Sequence, residues 1–68
     1  MGVNNIREIV SCIKEEIETL KGKQTLSDME YGQLLAYVES LSIIQSACAG
    51  YDLSEIELEF DVDEKYLQ

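Results

Sequence analysis

Residues 28–49, DMEYGQLLAYVESLSIIQSACA, hold only three charged side chains, Asp28, Glu30 and Glu39, and no Pro. Gly32 is the single internal interruption before Gly50, a plausible stop. Such a run predicts one long helix, over about 28–49, of about six turns at 3.6 residues each. Its main apolar stripe is Tyr31, Leu34, Leu35, Val38, Leu41 and Cys48, flanked by Tyr37 and Ile44. A second, weaker stripe of Met29, Ala36, Ser40, Ile43 and Ala47 lies roughly opposite. A helix with two apolar faces needs two things to cover them.

The segment before it supplies one cover. In NIREIVSCIKEEIETL the apolar residues Ile6, Ile9, Val10, Ile13, Ile17 and Leu20 recur at steps of three and four, which predicts an amphipathic helix over about 5–20. Asn4 or Asn5 is the expected N-cap. Lys14 and Glu18, four apart, belong to a solvated face of mixed sign. After Leu20, Gly22 suits a left-handed position, and Lys21 and Lys23 complement the C-terminal end of the helix dipole. Ser27 and Glu30 then match the S-x-x-E capping box, with Leu26 placed to staple onto Tyr31, so the second helix should begin at Asp28. A turn this short implies an antiparallel hairpin with Leu20 near Tyr31 and Ile6 near Ile43, the second helix overhanging the first by a turn or more.

The second cover is either the tail, residues 51–68, or another copy of the chain. The tail holds seven acids and one Lys, a net −6 of the total −9. Its stretch IELEFDVD alternates: Ile56, Leu58, Phe60 and Val62 share one face of a strand, and Glu57, Glu59, Asp61 and Asp63 share the other. Read as a helix, Leu58 and Val62 point away from Ile56 and Phe60, so the extended, β-like reading is favoured. Asp52 and Glu55 make a possible D-x-x-E start, which leaves a short helix from Leu53 to about Phe60 as the alternative. A lone strand needs a partner edge, so this one would pair with a second copy, lie as an extended cover over the overhanging second helix, or join another protein's sheet.

A single domain of 68 residues buries only about 60% of its unfolded surface and usually needs a disulfide, a metal or a partner. The hairpin sets Cys12 and Cys48 about ten helical residues apart, roughly 15 Å, beyond disulfide reach, so two free and mostly buried thiols are expected. With no His and two Cys, a closed zinc site is not expected. Association remains. The expected fold is mainly α, a two-helix hairpin with an extended acidic end, pairing into a homodimeric four-helix bundle. Its dimer or partner surface would use Tyr37, Ile43, Ile44 and Ala47 with Ile56, Leu58 and Phe60 of the tail.

Composition narrows function. Clustered Lys and Arg are lacking, which disfavours direct nucleic-acid binding. MGVNNIREIVSC has no basic segment followed by a long apolar run, and no stretch reaches 18 apolar residues, so a cytoplasmic protein without a membrane span is expected. The tail fits no EF-hand loop: counted from Asp52, positions 5 and 6 are Ile56 and Glu57. No His base, no phosphate loop and a two-helix core argue against catalysis and against a cofactor. Glu8, Glu15 and Glu16 near Cys12 would raise its pKa rather than activate it. The leading expectation is a helical protein–protein interaction or regulatory module. The alternative is an acidic inhibitor that occupies a basic nucleic-acid-binding site of another protein through Glu57, Glu59, Asp61 and Asp63.

Overall fold

The computed structural model describes residues 2–50 and 52–67; the first and last residues of the tail, Tyr51 and Gln68, lie outside the described residues. The fold is mainly helical, with two long helices in contact, α1 (Val3–Lys21) and α2 (Asp28–Ala47), followed by a 3-10 turn (Leu53–Ile56) and a short third helix, α3 (Val62–Leu67). The 3-10 turn packs on α1 and α3 packs on α2, so the tail lies across the hairpin.

Helix α1 is longer than expected at both ends. It begins at Val3 behind Gly2, which caps it without a side-chain bond; Asn4 instead accepts a hydrogen bond from Arg7 at 3.0 Å. Gly22 closes it in the right-handed region, φ −75°, rather than the left-handed one. Helix α2 starts where expected. Ser27 accepts from the Glu30 N–H at 3.1 Å and Glu30 accepts from the Ser27 N–H at 3.1 Å, so two otherwise unpaired donors of the first turn are satisfied reciprocally. It ends at Ala47 with Cys48 as its cap, before Gly50. The two helices have 19 and 20 residues, so the expected overhang of α2 does not arise from length.

No strand forms among the described residues. Asp52 accepts from the Ser54 N–H at 3.0 Å and starts the 3-10 turn, and Leu58 N–H closes it on Leu53 O at 2.9 Å. Glu57 then reverses the chain with φ 61°, the one positive φ outside glycine among the described residues. Such a conformation costs a non-glycine residue roughly 1–2 kcal/mol. Residues 58–61 have no helix or strand, and the Asp61 carboxylate accepts from the Glu64 N–H at 3.1 Å in the first turn of α3. The physical reason is plain: with no second strand edge, the two Asp caps satisfy this backbone locally. The alternation nevertheless survives as burial. Ile56, Leu58 and Val62 are buried and Phe60 is half-buried, while Glu57, Glu59, Asp61 and Asp63 are exposed.

The core draws on every element: Val10, Ile17 and Leu20 from α1, Leu34, Val38, Leu41 and Cys48 from α2 and its cap, and Ile56, Leu58, Val62 and Tyr66 from the tail. At about 1.5–3 kcal/mol for each fully buried apolar side chain, the tail's four weigh as much as either helix. Two members of the expected α2 stripe fall outside it, Tyr31 at 53% exposure and Leu35 at 37%. Leu26 is half-buried against the core.

Candidate interaction surfaces

The expected interface residues part into two groups. Ile56 and Leu58 are 1% and 0% exposed, consumed by the chain's own core; they leave no surface for a partner, and Phe60 is half-buried beside them. On α2, Ile43 is 61% exposed and Ala47 is exposed, while Tyr37 and Ile44 are half-buried against the core. The tail therefore covers one side of α2 and leaves the opposite stripe bare. Met29, 75% exposed, extends that stripe to the start of the helix, with Ala36 exposed between. The Ser40 hydroxyl donates to Ala36 O at 2.8 Å, so this polar group is satisfied inside its own helix.

How the tail is held was not expected. The Gln45 side-chain amide donates to Leu58 O at 2.8 Å and to Phe60 O at 2.7 Å. From α1, Lys14 donates to Glu57 O, and Lys21 donates to Tyr66 O at 2.9 Å. Lys14 and Lys65 stand over the Phe60 ring at 5.2 and 4.4 Å, and Lys21 and Lys65 over the Tyr66 ring at 5.9 and 5.6 Å. The two rings meet edge to face, centroids 6.1 Å apart at 71°. Burial is the main cause that lowers the Lys14 pKa, with Glu57 opposing and Lys65 assisting. Burial raises the Tyr66 phenol, and Glu18 adds to it. Two of the chain's five basic residues, Lys14 and Lys21, thus fasten the tail to α1, and Lys65 stacks within the tail itself.

The acidic residues face solvent. Asp52, Glu59 and Asp61 rim an open groove of about 580 Å3 floored by Gln45, Ala49, Leu53 and Phe60. Among the described residues no group of three or more His, Cys, Asp or Glu is placed to hold a metal ion. Cys48 is buried as expected, but Cys12 is exposed, beside Ile9 and Ile13 on an apolar flank of α1. No helix among the described residues is long and apolar enough to cross a membrane.

Sequence reasoning missed Gln45 and the three lysines. Lys14 and Lys21 act 43 and 45 residues away along the chain, and nothing local marks such reach. The chain matches no protein-family model, no curated protein and no solved structure.

Proposed function

We propose that the chain is a small non-enzymatic helical interaction module that self-associates through the outer face of α2. One observation carries this reading: Met29, Ala36, Ile43 and Ala47 remain exposed on that face although the described residues of the tail already bury Ile56, Leu58, Val62 and Tyr66 in the core. Large exposed apolar patches mark interaction sites. Here the face contains no charge, in a chain that is 28% charged. Tyr37 and Ile44, half-buried against the core, border it. Ile43→Asp tests it. Light scattering should give a dimer mass for the wild-type chain and a monomer mass for the variant, with the helical circular dichroism of both alike; an unchanged mass overturns the assignment.

A second reading rests on the solvent-facing acids Glu57, Glu59, Asp61 and Asp63. They suit a basic groove, as in an inhibitor of a nucleic-acid-binding protein. Against it, Lys14 and Lys65 interrupt the negative surface at Phe60. Salt-sensitive binding to a basic partner that weakens when Glu57, Glu59 and Asp61 become Gln and Asn would favour this reading over the first.

A further inference from the structure

Independently of self-association, we infer that the groove where α2 ends docks an arginine-bearing segment of a partner protein. Its floor is apolar, from Ala49, Leu53 and Phe60, and its rim carries the carboxylates of Asp52, Glu59 and Asp61. Among the described residues no cation lines it; Lys14 and Lys65 stand over the Phe60 ring without forming part of the groove wall. The one ion pair among the described residues, Lys23 with Glu30, lies at the opposite end of α2, so none of the three rim carboxylates is neutralised. Asp52 and Asp61 each use a single oxygen, Oδ1, in their capping bonds, and the second oxygen has no partner among the described residues. The Ser54 hydroxyl and N–H hold the Asp52 carboxyl below its ordinary pKa, so it is ionised at neutral pH.

The end of α2 adds to this charge without any side chain. Gln45, in the last turn, and Ala49, just beyond it, line the groove, and that turn holds no basic residue, whereas α1 ends on Lys21. A helix C-terminus carries roughly half an elementary negative charge. Three carboxylates and an uncompensated helix end thus surround an apolar floor. The chemistry of the occupant follows by elimination. A phosphate backbone has the wrong sign. A compact metal ion needs converging ligands, and among the described residues no three acids are placed to hold one. A guanidinium suits the arrangement: it is planar and weakly hydrated, it lies flat on apolar and aromatic surface, and its donors spread widely enough to serve separated carboxylates. The methylene stem behind it covers the floor. Small-molecule sites enclose most of their ligand, whereas this open groove receives a chain laid across it.

Fluorescence anisotropy with the full chain tests the docking. The probe is a labelled, end-blocked heptapeptide that alternates arginine with leucine; two companions carry lysine, or the uncharged isostere citrulline, in place of arginine. The arginine peptide should bind more tightly than the lysine one, and more tightly than the citrulline one by about tenfold, the sum of two or three exposed ion pairs. Asp52→Asn and Glu59→Gln, which keep side-chain size, should each weaken it about two- to fivefold with unchanged circular dichroism. Asp63→Asn, on the acidic edge but outside the groove, should change nothing. Equal losses at Asp63 and Asp52 would mean attraction by net charge alone and overturn the groove. Ala49→Arg gives a second readout: it supplies the cation from within, so it should raise the thermal midpoint and weaken peptide binding about tenfold, and undiminished affinity overturns the site. Equal affinity for the arginine and citrulline peptides, or no binding by the wild-type chain at millimolar peptide, overturns the proposal. Neither result bears on self-association, which is read from Ile43→Asp.

Discussion

Gln45 reaches from α2 to the main chain of Phe60, donating its side-chain amide at 2.7 Å, and the same nitrogen serves Leu58 O at 2.8 Å. One side chain thus replaces the ladder that a strand partner would have provided to this stretch. Gln45→Leu keeps the size and removes both bonds, leaving two partly buried carbonyls without these donors. The expected loss is about 1–3 kcal/mol, read as a lower urea midpoint with unchanged slope. A midpoint equal to wild type would mean that burial alone seats the tail.

The tail is part of the fold rather than an appendage. A chain ending at Gly50 lacks Ile56, Leu58, Val62 and Tyr66, four of the buried side chains. Typical domain stability is about 5–15 kcal/mol, and Leu58→Ala alone should remove about 2–5 kcal/mol. The truncated chain is therefore expected to show no cooperative thermal transition by circular dichroism, and Leu58→Ala a markedly lowered one. A cooperative melt of the truncated chain would show that the hairpin is self-sufficient.

Acid should loosen the start of α2. The Lys23 side chain, followed by the Ser27 N–H, pulls the Glu30 pKa down to about 2 from 4.5. A folded-state pKa below the unfolded one means stability that is fully present above about pH 4.5 and lost as pH falls toward about 2. Glu30→Gln cannot titrate. The stability gap between wild type and this variant should be constant from pH 7 to 5 and shrink between about pH 4.5 and 2, as followed by urea titrations. A gap that stays constant to pH 2 would show that the carboxylate is not coupled to folding.

Local chemistry was legible in the sequence and long-range geometry was not. The capping box at Ser27 and Glu30 needs only four residues and formed as read. The period of two over 56–63 was a true burial signal with the wrong backbone attached. A 3-10 turn, one left-handed residue, an irregular stretch and a new helix bury alternate side chains in succession, which spacing alone cannot tell from a strand. Of the expected interface residues, Ile43 and Ala47 are exposed on α2, whereas Ile56 and Leu58 are buried in the chain's own core; how a tail folds back on its hairpin depends on contacts such as those of Gln45 and Lys14, which local spacing does not carry. Tyr31 was misplaced inward because an apolar spacing of three and four defines a stripe but not its width.

The clamp on the tail grips carbonyl oxygens of Glu57, Leu58, Phe60 and Tyr66, atoms that every amino acid carries. The side chains of Glu57, Glu59, Asp61 and Asp63 point away from it. Asp61 caps α3 by accepting from the Glu64 N–H, and Glu57 sits in the left-handed region, so of the four only Glu59 and Asp63 are placed where folding makes little demand on their identity. At those two positions the acidic edge is free to be rewritten without disturbing what lies beneath it.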